Sequence, residues 1–352
     1  MTLEAVPSSS REMPNLDFLR ACAVLFVVCA HFLVFAHVSR IGPLKLGGIG
    51  PWGVWIFFVH TSLVLTLSLD RQARQWPGRR LLGPFLIRRT FRIFPLSVVV
   101  VMLVRYLSLP VGHLEDGQFV PAHVGVGGYF ANLLLVQNIT HSESVVAPLW
   151  SLPYEMQMYL LLPALFLLAR STRTAIPLFG IWLIGLIPAL RPWYFDKSGV
   201  PDLLAYAPYF LSGVLAYKMT ALVRVRLPAV LWPVTLAAIT ALYLRDPSTV
   251  HGHGPIGALL IGVAIPHFEQ MRQPVVVAIS HKVAQYSYGI YLTHFICIWL
   301  AFQGPVHLTT LARWVVFLVI GAAAPVALYH GVEAPMIRIG QRIASLRLAP
   351  ER

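Results

Sequence analysis

Apolar runs alternate with short polar stretches along almost the whole of the 352-residue chain. A helix needs about 20 apolar residues to cross the hydrocarbon core of a bilayer. On that measure the pattern predicts ten spans, at about 17–37, 52–69, 93–111, 150–169, 174–190, 203–221, 227–244, 255–267, 284–302 and 311–331. The eighth is short. A further apolar piece at 128–139 is shorter still and reads as a partly inserted or interfacial segment. The expected fold is an all-α polytopic membrane protein. It forms one domain over residues 1–352, with a short basic cytoplasmic tail at 338–352.

Composition agrees with the pattern. Hydrophobic residues make up 57% of the chain and charged residues only 12%, against about 25% charged in a soluble domain. The net charge of +13 would point to nucleic acid in a soluble protein. Here the basic residues sit between apolar runs, so they first report topology and no nucleic-acid partner is expected. With the N-terminus placed inside, 20 of the 27 Lys and Arg residues fall on the inner side. The other seven are Arg40, Lys45, Arg105, Arg191, Lys197, Arg245 and Arg313. That asymmetry predicts both termini inside. An eleventh span at 128–139 would invert every later loop. Cys22, Cys29 and Cys297 all lie in apolar runs, with no disulfide or metal spacing. His251 and His253 lack a third ligand, so no metal is expected.

Four groups of polar residues break the apolar pattern. Arg20 and His31, with ten residues between them, lie on the first span. Eleven positions turn a helix by three turns plus about 20° and advance it by roughly 16 Å, so both share one face. Ionisable groups at such depth face a protein interior or a watery cavity. The segment Asp70–Arg92 reads as a cytoplasmic loop with seven arginines, ending in Arg88, Arg89 and Arg92 ahead of Pro95. Arginine forks bind phosphates, and equally they anchor loops to anionic lipid head groups. Glu155 stands near the start of the fourth span with no basic sequence neighbour, so its partner must come from another span; His31 is the candidate. Tyr291 and His294 are three apart on the ninth span. They form either a polar cavity wall or a structural hydrogen-bond pair between helices.

These segments together resemble the acyltransferase-3 family of integral-membrane acyltransferases. The resemblance rests on Leu16-Asp-Phe-Leu-Arg20-Ala with His31, Phe57-Phe-Val59, Arg89-x-x-Arg92-Ile-x-Pro95 and Leu149-Trp-Ser-Leu-x-x-Glu155 with Tyr159 and Pro163. It extends to Ser287-Tyr-x-Ile-Tyr-Leu-x-His294 and Tyr329-x-x-Val-Glu333-x-Pro335. Where the family usually has Leu-Ser-Gly-Phe after Phe-Phe-Val, this chain has His60-Thr-Ser-Leu63, and Pro153-Tyr154 precede Glu155 in place of small or β-branched residues.

The resemblance implies transfer of an acyl group, by default acetyl, from acyl-CoA to a hydroxyl. The acceptor would be a cell-surface glycan, a lipid-linked sugar or a small hydroxylated molecule. It also implies a place in the bacterial inner (plasma) membrane, among membrane lipids. His31 is then expected as general base with Glu155 supporting it, and Arg20, Arg88, Arg89 and Arg92 as the donor-binding residues. Trp150, Tyr291, His294 and His60 are the candidates for oxyanion or substrate contacts. The same buried His, Glu and Arg would also suit the proton relay of a coupled transporter; the one-sided arginine cluster and the lack of an internal repeat argue against that.

Overall fold

The computed structural model describes residues 13–76, 81–115, 117–189, 200–246, 253–306 and 308–348. Arg11, Arg79, Arg80, Arg191, Lys197, His251 and Arg352 lie outside the described residues. Twelve α-helices appear among those described. They are α1 (Pro14–Phe35), α2 (Ile49–Gln75), α3 (Leu82–Tyr106), α4 (Val126–Leu133), α5 (Leu152–Ser171) and α6 (Ile176–Ala189). The series continues with α7 (Val200–Thr220), α8 (Leu231–Arg245), α9 (His253–Ala264), α10 (Pro274–Phe302), α11 (Thr310–Leu328) and α12 (Ala334–Leu348). Two small hairpins complete the fold, β1 (Arg40–Ile41) with β2 (Leu44–Lys45) and β3 (His113–Glu115) with β4 (Gln118–Val120), both antiparallel.

The local sequence explains where helices begin. Prolines at the first turn of α1, α5 and α10 need no intrahelical N–H bond there. The Gln273 side chain accepts the Val276 N–H at the start of α10, and Thr309 accepts the Ala312 N–H at the start of α11. Among the described residues four stretches are both long and apolar enough to cross a membrane: Pro14–Phe35, Leu46–Gln75, Ala147–Ser171 and Thr310–Arg347. Helices α6, α8 and α9 are shorter apolar segments. Helix α4, at the apolar piece 128–139, has eight residues, about 12 Å of length, too little to span.

The bundle is built around α1 and α2. Helix α1 packs on both α2 and α10, and α2 packs in turn on α7. Asp17 meets His281, Arg20 meets Ser287, and His31 meets His294 and Phe295. The contacts ascend together along both helices, so α1 and α10 run parallel. Glycines permit the closest approaches. A Cβ at Gly53 would strike the Ala23 carbonyl of α1, and one at Gly213 of α7 would strike the Ser62 hydroxyl and Val59 carbonyl of α2. On the outside, α11 presents Leu311, Val315, Leu318 and Val319, and α6 presents Ile176 and Ile184. Exposed apolar faces of this kind belong against lipid rather than water.

Two expected segments take a different form. The described residues of the stretch Asp70–Arg92 are almost all helical. Helix α2 runs on to Gln75 and α3 starts at Leu82, so Arg88, Arg89 and Arg92 lie on a helix that continues through Pro95. The basic tail is helical as far as Leu348. After a π-helical turn at Tyr329–Glu333, α12 packs along α3, with Gly340 beneath Phe91. The expected loop and tail were read from charge alone, and helix-to-helix packing supplies what charge does not report.

Candidate active site

The first polar group the bundle organises is a cavity between α1, α2, α3, α5 and α10, holding about 720 Å3 of atom-free space where it opens to solvent. Its polar lining is Arg20 from α1, His60 and Thr61 from α2, Arg89 and Arg92 from α3, and Ser151, Glu155 and Tyr159 from the start of α5. Helix α10 adds Tyr288 and Tyr291. A second cavity lies beside it, lined by Met13, Leu16, Asp17, Leu67 and Arg71. The two share Arg20, His60 and Val64 as a common wall.

Two of the three arginines in the main cavity are held from another helix. Arg20 donates through Nε to the Ser287 hydroxyl at 2.7 Å, and its guanidinium lies 5.9 Å from the centroid of the Phe57 ring. Arg92 forms an ion pair of 2.5 Å with Glu333, whose side chain is fully buried in the π-helical turn. Arg88 turns away and donates to Gln72 on α2; it is not among the lining residues. Glu155 accepts a hydrogen bond from Tyr159, four residues on and therefore on the same face of α5. The positive charges acting on its carboxylate are Arg20, Arg89 and Arg92. Also in the lining, the buried Tyr291 and Ser151 hydroxyls are hydrogen-bonded at 2.7 Å. Two buried nitrogens on lining residues have no partner among the described residues: Arg89 Nε and His60 Nδ1. Buried polar atoms are nearly always paired, so an orphan on a cavity wall is a place where a ligand or water completes the bonding.

His31 lies elsewhere. Its ring sits 5.1 Å from that of His294 and 4.6 Å from that of Phe295, measured between centroids, and it is not among the cavity's lining residues. Phe119 of the second hairpin packs on Phe295 at 5.0 Å. Gln303 ties that hairpin down, accepting the Phe119 N–H and donating to the Gly117 carbonyl. Tyr291 bridges the two regions. It lines the cavity, and its ring is 6.2 Å from His294.

The expected pairing of Glu155 with His31 is therefore replaced by a different arrangement. Glu155 belongs to the layer of Arg20, Arg89 and Arg92, three turns along α1 from His31. The reason is local. Pro148, Leu149, Ser151, Leu152 and Pro153 are buried, so α5 begins inside the protein and not at its surface. Of the oxyanion candidates, Tyr291 and His60 line the cavity, whereas Trp150 is not among its lining residues and meets Tyr154 edge-on and Tyr206 at a tilt. His294 places Nδ1 2.7 Å from the Tyr291 carbonyl and 3.2 Å from that of Ile290. Carbonyls only accept, so Nδ1 carries the proton and the neutral ring has no N–H left at Nε2 to offer an oxyanion.

Sequence reasoning carried Tyr159, Ser287, Tyr288 and Glu333 only as motif residues of the resemblance and gave none of them a role in the site. The spacing of Glu155 and Tyr159 on one helix was a usable signal. Glu333 carries no local signal for Arg92, which lies 241 positions earlier in the chain.

The family model described as an acyltransferase domain, acyltransferase-3, matches residues 13–330. Among curated proteins the chain is similar to acyltransferase MdmB of Streptomyces mycarofaciens, 25% identical over 335 residues, covering 83% of this chain and 81% of that protein. No solved structure matches. The matched region takes in the cavity, all three of its arginines, Glu155 and the His31–His294 pair, and the chain belongs to the acyltransferase-3 family: it is an acyltransferase.

Proposed function

We propose that the protein transfers an acyl group, acetyl by default, from acyl-CoA to a hydroxyl of a glycan, a lipid-linked sugar or a small hydroxylated acceptor, with His31 as general base. The observation that carries this reading is the convergence of Arg20, Arg89 and Arg92 in one cavity whose lining holds a single carboxylate, Glu155. A buried cationic site of this kind selects an anionic ligand, and arginine forks suit phosphate. The donor-binding set is Arg20 and Arg89, with Arg92 held ready by Glu333; Arg88 is left out because it bonds Gln72. In this reading the second cavity, which shares Arg20, His60 and Val64 with the first, receives the nucleotide end of the donor. This reading sets ten spans with both termini inside, in the bacterial inner membrane. The parallel course of α1 and α10 supports it, since the first and ninth spans must run the same way.

The chemistry follows from the groups present. His31 takes the proton of the acceptor hydroxyl as its oxygen attacks the thioester carbonyl, a contribution on the order of 10²–10⁴-fold. The tetrahedral oxyanion forms beside the Tyr291 hydroxyl. The carbon–sulfur bond then breaks, and the proton passes from His31 to the departing thiolate. The ester leaves with the acceptor, and free CoA remains.

Purified protein incubated with labelled acetyl-CoA and a panel of hydroxylated acceptors should yield a labelled ester, and His31→Ala should abolish it while the protein still inserts and folds. Label moved across vesicles without ester formation would identify a transporter instead. Wild-type turnover by folded His31→Ala would remove His31 as the base.

A further inference from the structure

With Glu155 occupied in the arginine layer, His31 lacks the carboxylate expected to orient it. We propose that His294 is the positioning partner of His31. In this role its bare Nε2 accepts a hydrogen bond from one ring nitrogen of His31 and leaves the other free to take the acceptor's proton. The inference rests on the reading of His31 as general base.

Three observations carry it. The His294 Nδ1–H points at the Tyr291 and Ile290 carbonyls of its own helix, which fixes the tautomer and leaves a lone pair on Nε2. That Nε2 is buried with no partner among the described residues. The histidine ring beside that of His294 is His31, on the neighbouring parallel helix, with centroids 5.1 Å apart and planes tilted by 32°. Imidazole rings turned edge to edge at this separation bring two nitrogens within hydrogen-bond reach, about 2.9 Å. The surroundings are apolar: Phe295 lies against both rings and Phe119 covers Phe295. Of the described polar rings beside His294, Tyr291 has its hydroxyl bonded to Ser151, which leaves His31 to serve the unfilled acceptor.

The arrangement does for His31 what a buried carboxylate does in a hydrolase triad, with one difference. A neutral acceptor holds the ring and its tautomer without making the ring permanently cationic. When His31 receives the hydroxyl proton, its second N–H remains bonded to His294 Nε2 and the charge is shared over a polar contact. The proton returns from His31 to the thiolate, and His294 neither gains nor loses one. His294 is thus a positioning residue and touches neither donor nor acceptor.

The test uses the full-length protein in lipid nanodiscs. With ¹⁵N-labelled histidine, the His294 signals, assigned from their loss in His294→Gln, should show Nε2 without a proton, and its shift should move in His31→Leu. In parallel, thiol release from acetyl-CoA is followed with the accepting hydroxyl found above, or with water alone. His294→Leu should lower kcat by about 100-fold or more with KM for acetyl-CoA unchanged. His294→Gln, whose carbonyl can stand near Nε2, should recover at least tenfold of that loss. A protonated Nε2, a wild-type kcat in His294→Leu, or a Gln variant no better than Leu at equal folding would overturn the proposal. An active His31→Ala protein would instead sink the base reading, and the resonance data would still decide whether the two rings are coupled.

Discussion

The Arg92–Glu333 pair joins the cavity wall to the π-helical turn before α12, and removing its negative charge should destabilise the fold measurably. Glu333 is fully buried and Arg92 is 21% exposed, with 2.5 Å between Nη1 and Oε1. Breaking a buried pair by deleting one charge costs roughly 3–5 kcal/mol, because the other charge is left without compensation. Glu333→Gln keeps the shape and offers Arg92 a neutral carbonyl, and Arg92 retains some contact with the cavity. The expected loss is therefore smaller, about 2–3 kcal/mol. The assay is reversible denaturation of the detergent-solubilised protein, read alongside the double variant Arg92→Met, Glu333→Leu. Removing both charges and filling the space should cost less than the sum of the single changes by about 2 kcal/mol, well outside the ~0.5 kcal/mol scatter of additive sites. A Glu333→Gln protein within 0.5 kcal/mol of the parent (the same ~0.5 kcal/mol scatter), or a strictly additive double variant, would refute the reasoning and reduce the pair to a surface-like contact.

Three further outcomes are expected. Arg89→Gln should weaken acetyl-CoA binding in calorimetry by about tenfold or more, since charge-assisted hydrogen bonds contribute about 1.5–3 kcal/mol; Arg88→Gln, whose side chain serves Gln72, should leave binding nearly unchanged. Tyr159→Phe takes from Glu155 its hydroxyl donor and should cost about 1–3 kcal/mol of stability, checked by the same denaturation assay; no change would mean that the arginines alone hold the carboxylate. Gly213→Val drives a branched side chain into the Ser62 hydroxyl and Val59 carbonyl, so the yield of folded, monodisperse protein should fall sharply, while Gly180→Ala, which meets open space, should behave as the parent.

Much of the architecture was legible in the linear pattern. Hydrophobic run length marks helices because a helix crossing lipid must be apolar along its whole length, and the ten expected spans each have a helix at their place, α1–α3 and α5–α11. The spacing of Arg20 and His31 fixed their common face by helical geometry alone, and both do meet α10. Charge misled where it was taken to mean exposure: Arg89 and Arg92 line a cavity, and the basic C-terminal residues up to 348 form a packed helix. Partners across the bundle were the part that only tertiary structure decided. Glu155 has no basic neighbour in sequence, and its layer depends on how deep the turn at Ala147–Ser151 is buried, which no periodicity records. The same holds for Arg92 with Glu333 and for His31 with His294. Helix phase is set by neighbours three and four residues away, whereas these pairings depend on the rotation and depth at which distant helices dock.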